Sequence, residues 1–342
     1  MPNRPLDETT VTRLVQDAST APSMHNAQPW RFRFLADSGT LELSADPDRE
    51  MPRTDPDRRA LHLGCGAALF NLRVSAAHAG LRPEVTLLPD PGRPLLLATV
   101  HADGTEGPSR HDPLRALYPV LRMRHSSRWP FDDTPLDDAV QASLVDAARA
   151  EGAGLVFVSD WHVQELADLV HDAEGRDDQQ PERLDEMTRW THRGAEAESA
   201  TEGIPDYAFG PRMRGGAAPM RDFAGRRPLA DRASATFEST PHIALLGTAR
   251  DGPRDWLMAG QAMERVLLTA TLKGLATSLT SHALEWPDLR GLARDPRSSM
   301  GHVQIVLRVG HGPQGPATPR RPVTDILTVV HHAGHGSGTG GP

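Results

Sequence analysis

Two pairs of segments along the chain repeat the same order of apolar and polar positions. Residues 5–20, PLDETTVTRLVQDAST, and residues 135–150, PLDDAVQASLVDAARA, align without a gap. In both segments, apolar residues recur at the spacing of an amphipathic helix, and an aspartate that suits the N-cap comes before them. A run typical of a strand follows each helix, WRFRFL in the first half and GLVFVS in the second. The pattern therefore predicts a helix and then a strand, twice over.

The second pair consists of two long and almost wholly apolar segments. Residues 57–81 align with residues 251–275, and Gly66 coincides with Gly260. A helix that is apolar on all sides belongs in the middle of a core, and a glycine just past its end suits a C-terminal cap. Strand-like runs follow both segments, EVTLLP and LLLATVH after the first, ATSLTS and HVQIVLRVG after the second.

Alanine- and leucine-rich helices can resemble one another by chance, but two ungapped matches in the same order favour an internal duplication. The sequence then predicts two pseudo-symmetric α+β units fused in one chain, in effect a covalent dimer. We assign residues 1–118 to the first unit and residues 119–330 to the second. An insertion at about residues 160–240 begins with helical patterns and continues in Gly-, Pro- and Arg-rich sequence, which is typical of a lid or a disordered loop. The glycine-rich tail, residues 331–342, is predicted to be disordered.

The two copies differ where a functional site would be expected. Between its helix and strand the first copy has APSMHNAQPW, whereas the second has only EGA. Before its helix the second copy has RHSSRWPFDDTP, whereas the first has only MPNRP. If a symmetric ancestor used both loops in each of two sites, the fused chain keeps one complete site and has lost the other.

The side chains of these loops suit a planar, anionic ligand. Arg124, Ser126 and Arg128 stand on alternate residues, and guanidiniums with a neighbouring hydroxyl bind phosphate well. The other loop offers Ser23 and Asn26, whose hydrogen bonds suit the edge of a flat heterocycle. Near the end of the chain, ATPRRPVTDIL supplies a second arginine pair for a phosphate.

Composition narrows the classes of function. The chain has 342 residues, a net charge of −8 and a single cysteine, Cys65. The charge argues against an extended nucleic-acid surface, and one cysteine excludes internal disulfides and multi-cysteine metal sites. We expect no metal. The polar start and the lack of a long apolar run predict no membrane span and a cytoplasmic protein.

The paired loops resemble those of nitroreductase-like FMN flavoproteins, in which each subunit of a dimer contributes one loop to the same flavin. APSMHNAQPWRF is similar to one loop, RHSSRWPF to the other, and TPRRP to the last phosphate-binding segment. CGAALFNLRVSAAHAGL and the WTHR…GIP stretch resemble the Acg-type branch, in which two such units are fused. The resemblance, from about residue 5 to 327, implies a nitroreductase-like fold with FMN as cofactor.

The resemblance also implies site residues. Those expected to contact the cofactor are Pro22, Ser23, His25, Asn26, Gln28, Arg124, His125, Ser126, Arg128, Ser281, His282, Arg320 and Arg321. His25 could equally well only stabilise the turn in which it lies. The acidic-glycine pair common in nitroreductases is absent at Ser281 and His282. Trp190 and Tyr207 of the insertion could cover a substrate or pack the insertion, and no catalytic side chain is required.

These features predict an FMN-dependent oxidoreductase that passes a hydride through flavin N5 to or from a small organic substrate, by ping-pong turnover. NADH or NADPH is the expected donor, although no dedicated binding motif is present. The alternatives are a protein that stores flavin under a closed insertion and a flavin-free relative. The chain is expected to be a monomeric pseudo-dimer or a homodimer.

Overall fold

The computed structural model describes residues 6–101, 112–224 and 232–331; the tail predicted to be disordered lies, after residue 331, outside the described residues. The helices in these ranges are α1 (Glu8–Ala18), α2 (Arg59–His78), α3 (Asp138–Arg149), α4 (Asp160–Asp177), α5 (Pro181–Arg189), α6 (Ala195–Ser199), α7 (Pro253–Leu272), α8 (Pro287–Leu292) and α9 (Val323–Ile326). The strands are β1 (Trp30–Leu35), β2 (Thr40–Ala45), β3 (Glu84–Leu87), β4 (Leu96–His101), β5 (Gly154–Phe157), β6 (Thr191–His192), β7 (Ile204–Pro205), β8 (Arg212–Gly215), β9 (Ser234–Thr236), β10 (Ile243–Thr248), β11 (Ala276–Thr280), β12 (His302–Gly310) and β13 (Leu327–Val330). Of the described helices, none combines the length and apolar character needed to cross a membrane.

Helices α2 and α7 pack against each other at the centre of the molecule. Their contact is a backbone contact, because a Cβ atom on Gly260 would lie 2.1 Å from the carbonyl oxygen of Leu63. A Cβ atom on Gly66 would lie 2.3 Å from the carbonyl oxygen of Leu257. Most side chains of both helices are buried. The two glycines that the sequence alignment matches are therefore the residues that let the helices touch.

Each unit adds a sheet to this helix pair. The first sheet has the strand order β13-β1-β2-β4-β3 and the second has β11-β12-β10-β5. On β1, Trp30, Phe32 and Phe34 are buried while Arg31 and Arg33 face solvent, so the strand buries one face. A single cluster of buried apolar side chains extends from β1 and α2 to α7 and β12. The two units thus share one core.

The order of elements confirms the prediction of two pseudo-symmetric α+β units. Helix α1 packs on α2 and helix α3 packs on α7, as equivalent pairs should. The strands β1, β3 and β4 of the first copy and β5, β11 and β12 of the second lie within the runs that the sequence marked as strands. The duplication seen in the sequence is therefore present in the structure.

The last strand crosses from one unit to the other. Strand β13 pairs in parallel with β1, with Phe32 opposite Leu327 and Phe34 opposite Val329. The sequence assigns residues up to 330 to the second unit, whereas this strand completes the sheet of the first. The pairing joins segments almost 300 residues apart in the sequence, and such a long-range partner leaves no local signal.

The insertion forms structure of its own and reaches the first unit. Helix α4 begins soon after β5, and its Val163 and Leu166 pack against Ile243 of β10. Further along, the backbone N–H of Gly203 donates to the carbonyl of Asn26 at 3.2 Å. The described part of the insertion therefore spans the two units.

Substituting Gly260 tests the helix contact. We expect Gly260→Ala to lower the free energy of unfolding by about 3 kcal/mol or more, because the added methyl meets backbone that cannot move aside. Gly175→Ala is the matched control, since Gly175 lies in α4 with no atom within 4 Å of an added Cβ. That control should be neutral or stabilising by about 0.5–1 kcal/mol. Urea unfolding measures both, and equal stability of the two variants would contradict the contact.

Candidate functional site

The two loops that distinguish the copies meet in a cleft between the units. The cleft has a volume of about 1030 Å³ when the space open to solvent is included. Leu63 and Gly64 of α2 and Met263 of α7 line it, next to the glycines where the helices touch. The loop after α1, the loop before α3 and the segment before α9 contribute the other walls with β11 and β12.

The loop after α1 is a tight turn held by its own hydrogen bonds. The backbone N–H of Gln28 donates to Ser23 Oγ at 2.9 Å, and that of Asn26 donates to the Ser23 carbonyl at 3.0 Å. His25, Asn26 and Gln28 all have positive φ angles, of 49°, 56° and 53°. Each costs of the order of 1 kcal/mol for a residue with a Cβ atom. Strain of this kind is common where a loop must present side chains to a ligand.

The loop before α3 is held by the second sheet. Ser126 forms a parallel bridge with Thr277 of β11, and the backbone N–H of Ser127 donates to the Thr277 carbonyl at 2.7 Å. On its other side the C-terminal segment approaches closely, because a Cβ atom on Gly315 would lie 2.1 Å from the Ser126 carbonyl oxygen. Strand β11 and this segment therefore fix the position of the loop.

Arg320 joins the three segments. Its Nε donates to the Ser19 carbonyl at 2.7 Å and its guanidinium donates to Asn26 Oδ1 at 2.9 Å. The carbonyl of Thr20 accepts from Arg320 at 3.0 Å and also from Arg124 at 3.2 Å. Two guanidiniums thus share one acceptor at the C-terminal end of α1, where the helix dipole favours cations. Burial and the charge of Arg124 lower the pKa of Arg320 to about 9.

Among the residues that the structure describes, the titratable side chains that line the cleft are all arginine or histidine. They are Arg59, Arg124, Arg128, Arg221, Arg320, His25, His125 and His282. Burial and then the charge of Arg124 lower the pKa of His125 to about 4. Burial, followed by Arg221 and His282, holds the pKa of His25 well below its ordinary value. These two histidines are therefore neutral near neutral pH, and the arginines supply the positive charge, which favours an anionic ligand.

The insertion supplies one side of the cleft through Ile204, Arg221 and Phe223. The Phe223 ring lies edge-on to His25 at 5.8 Å, and the guanidinium of Arg128 lies 4.7 Å from its centre. Arg128 also donates to the Ala208 carbonyl at 2.9 Å. These contacts bring the insertion against both loops.

A buried ionic network supports this side. His282 Nε2 donates to Asp177 Oδ2 at 2.7 Å, and Asp177 also accepts from Arg183 at 2.7 Å and from Arg221 at 2.9 Å. Glu285 accepts from the same two arginines at 3.1 and 3.2 Å. Burial by itself would raise the pKa of Asp177, but the hydrogen bond from His282 and the charge of Arg221 outweigh it and lower the pKa to about 2.

The carboxylates and imidazole of this network have the types of atoms that bind metals. Ligand atoms of Asp177, His282 and Glu285 lie within 4.8 Å of one another. Both carboxylates already accept hydrogen bonds from Arg183 and Arg221, so guanidiniums supply the positive charge that a metal ion would supply. The arrangement fits a structural ion-pair network.

A model of the nitroreductase family matches residues 121–311, more than half of the chain. The chain belongs to the nitroreductase family.

Similarity to curated relatives extends over both units of this nitroreductase. The protein named "Putative NAD(P)H nitroreductase acg" of Mycobacterium tuberculosis is 30% identical over 336 residues, covering 96% of this chain and 98% of the relative. A second protein of that organism with a corresponding name, Rv3131, is 32% identical over 328 residues, covering 94% and 92%. The chain is an oxidoreductase of the nitroreductase type, in the Acg-type branch.

Solved nitroreductase structures are more distant. One with bound FMN from Bacteroides fragilis covers 60% of this chain and 92% of its own, at 12% identity and a TM-score of 0.36. One from Anabaena variabilis covers 89% of this chain and 73% of its own, at 14% identity and a TM-score of 0.41.

The structure brings most of the residues predicted to bind the cofactor of this nitroreductase into one cleft. Those that line it are Pro22, Ser23, His25, Asn26, Arg124, His125, Ser126, Arg128, Ser281, His282 and Arg320. The side chain of Asn26 is already engaged, because Nδ2 donates to the carbonyls of Gly203 and Pro319 at 2.9 and 3.0 Å. Asn26 therefore holds the walls together and orients Arg320.

Gln28 and Arg321 do not line the cleft. Gln28 Oε1 accepts from the backbone N–H of Arg321 at 2.9 Å, and its Nε2 donates to the Thr201 carbonyl at 2.9 Å. Arg321 donates to the Gln28 carbonyl and forms an ion pair with Asp46 at 3.2 Å. Both side chains join chain segments to one another, which local sequence cannot distinguish from contact with a ligand.

Trp190 and Tyr207 do not line the cleft either. Trp190 is buried against Met51 and Ala27, so it packs the insertion onto the first unit. The Tyr207 side chain is exposed, and its hydroxyl donates to the Ala317 carbonyl at 3.2 Å. In the described part of the insertion, the residues that reach the cleft are Ile204, Arg221 and Phe223 instead.

Arg59 and the partners of His282 belong to the site but were not among the residues predicted from the sequence. Arg59 lies at the start of α2, where Asp55 accepts from the backbone N–H groups of Ala60 and Leu61 at 2.9 Å each. An aspartate shortly before an apolar helix, here Asp55, is the sequence signal that could have predicted this start of α2. Asp177 and Arg221 lie over 60 residues before His282, and no spacing rule connects them.

Asp177→Asn tests the buried ionic network that includes His282. The change removes the carboxylate that pairs with His282 and leaves Arg183 and Arg221 with Glu285 alone, and breaking a buried pair costs about 3–5 kcal/mol. Because Asp177 has a lowered pKa in the folded state, its contribution is complete above its unfolded value and is lost as the pH falls towards about 2. The difference in unfolding free energy between the wild type and the variant should therefore shrink as the pH falls.

Asp172→Asn is the matched control on the same helix. Asp172 is 51% exposed and pairs with Arg176 on the surface, so its loss should cost less than about 1 kcal/mol. Similar losses in the two variants, measured by denaturant titration at several pH values, would contradict a special role for Asp177.

Proposed function

We propose that this nitroreductase-family chain is an FMN-dependent oxidoreductase with its single flavin site in the cleft between the units. The observation that carries the proposal is that two loops, each present in only one copy, meet in one cleft. The titratable side chains that line this cleft in the described part of the chain are all arginine or histidine. One ring nitrogen each of His25 and His282 is buried there without a hydrogen-bond partner among the described residues. Such atoms fit a cofactor rich in hydrogen-bonding groups.

The phosphate would be held by Arg124 and Arg320, with the Ser126 loop beside them. The two guanidiniums share the Thr20 carbonyl, so their charges lie close together in a partly desolvated site. A phosphate relieves their repulsion. The N–H groups of Arg320 already donate to protein oxygens, so Arg320 would contribute its charge, and Arg124 would donate charge-assisted hydrogen bonds to the phosphate. Arg321, which is engaged by Gln28 and Asp46, would not take part.

The ring would lie towards Ser23, His25, Ser281 and His282. Ser23 Oγ already accepts from Gln28, which leaves its hydroxyl proton free to donate. Arg128 has no ion pair among the described residues, and burial lowers its pKa to about 10. A cation that no carboxylate neutralises would stabilise negative charge that develops on a bound ring during reduction.

FMN, when bound, would supply the redox chemistry, which is hydride transfer through its N5 to or from a small organic substrate by ping-pong turnover. The protein contributes binding, orientation and exclusion of water. NADH or NADPH is the proposed donor, supported by the names of the relatives.

Arg124→Ala tests the phosphate position. Loss of charge-assisted hydrogen bonds worth about 1.5–3 kcal/mol should weaken FMN binding about tenfold or more. Arg122→Ala is the control, because Arg122 lies two residues away, is 59% exposed and pairs with Asp17. Fluorescence titration of FMN measures both variants, and an unchanged affinity in Arg124→Ala would place the phosphate elsewhere.

A second candidate function, flavin storage, is favoured by the insertion. Ile204, Arg221 and Phe223 line the cleft and could close the ring face to any substrate.

Anaerobic addition of NADPH to the FMN-loaded protein separates the two functions. An enzyme should lose the absorption of its oxidised flavin at a catalytic rate, because the donor reaches the ring. A storage protein should stay oxidised, and Phe223→Ala should then restore reactivity by opening the cover. Protein that binds no FMN would contradict both.

A further inference from the structure

Glu264 is a buried acid behind the two arginines of the cleft. It lies in α7, in the middle of the core, with its side chain fully inaccessible to solvent. Its Oε1 is 3.4 Å from Arg124 Nε, yet neither carboxylate oxygen has a well-oriented hydrogen bond among the described residues. Buried carboxylates are normally hydrogen-bonded, because desolvation is otherwise costly. The carboxylate is therefore poorly stabilised in its charged form.

The groups that face Glu264 come from three directions. Arg124 approaches from the loop before α3, and Arg320 from the C-terminal segment. Asn71 of α2 also faces the carboxylate, while its amide donates to Thr20 Oγ1 at 3.1 Å. Burial raises the pKa of Glu264 to about 7, against the opposing effects of Arg124, Asn71 and Arg320. A modest change in local charge near neutral pH is thus enough to change its protonation.

A bound phosphate makes such a change. Without it, the two guanidiniums exceed the carboxylate by one positive charge. A phosphate dianion on the same guanidiniums reverses this to one excess negative charge in a desolvated site. A proton on Glu264 restores neutrality, and it also removes the repulsion between the carboxylate and the phosphate.

We propose that Glu264 is a member of the phosphate site and takes up one proton when a phosphate dianion binds to Arg124 and Arg320. This inference rests on the proposed function, because it requires the cofactor phosphate to bind at these arginines. In the empty site the carboxylate is the counter-ion of Arg124; in the filled site the phosphate replaces it. Cofactor affinity is therefore linked to pH through a residue that need not touch the cofactor.

Isothermal calorimetry of FMN binding to the flavin-free protein tests the proposal. Titrations at about pH 8 in two buffers of different ionisation enthalpy count the protons exchanged, and a free phosphate monoester is already a dianion there, since its second pKa is about 6. We expect most of one proton to be taken up for each FMN bound. The affinity should fall by up to about tenfold for each pH unit above neutrality.

Two controls test whether Glu264 is the group that takes up the proton. Riboflavin, which has no phosphate, should bind without proton uptake. Glu264→Gln keeps the shape of the side chain but cannot titrate, so FMN should bind to it without uptake and with an affinity that does not change over this pH range. At the alkaline end this variant should bind FMN more tightly than the wild type does.

The outcomes separate the inference from the proposed function. Tight FMN binding without proton uptake, or uptake that persists in Glu264→Gln, would overturn the inference and leave the flavin site standing. A protein that binds no FMN would instead contradict the proposed function. If Glu264→Gln does not fold, His125→Ala decides, since the charges of Arg124 and Arg320 act on His125 as well as on Glu264. Uptake that survives in that variant supports Glu264, and uptake that disappears contradicts it.

Discussion

The backbone contact between α2 and α7 at Gly66 and Gly260 determines how the rest of the molecule is arranged. Because no side chain separates the helices there, the two units share one core. Residues on the same turns, Leu63 of α2 and Met263 of α7, line the cleft between the units. The close contact thus sets the distance across which loops from opposite units must meet.

The second constraint is the placement of arginines in a partly desolvated cleft. Arg124 and Arg320 are held by backbone carbonyls at the end of α1, and carbonyls orient a guanidinium without cancelling its charge. The carboxylate near them, Glu264, lies behind the cleft and not in it. Backbone carbonyls therefore orient the two guanidiniums, and the guanidiniums supply the charge. Their positive charge stays directed at the space where a ligand would lie.

The sequence contained enough to predict the duplication, the central helices and most of the cleft. Those predictions depended on the aligned periodicity of the two copies and on two loops, each of which is present in only one copy. All of these signals lie in contiguous segments of the chain. It could not separate Arg320 from Arg321, because neighbouring arginines differ only in which distant segment each contacts. Likewise, Trp190 and Phe223 are both aromatic residues of the insertion, yet one is buried against Met51 and the other lines the cleft. The crossing of β13 to β1 was hidden for the same reason.

Fusion explains why the cleft can be so asymmetric. In a dimer of identical chains, any insertion occurs twice and must fit both sites. In this chain the insertion occurs once, so it can join the second unit through α4 and still bond the first unit's turn through Gly203. Its Asp177 accepts hydrogen bonds from both Arg221 and His282, and these two side chains line one wall of the cleft. That wall has no counterpart in the first copy. The symmetry between the two copies could therefore predict the shared core, but it could not predict the part of the cleft that the insertion supplies.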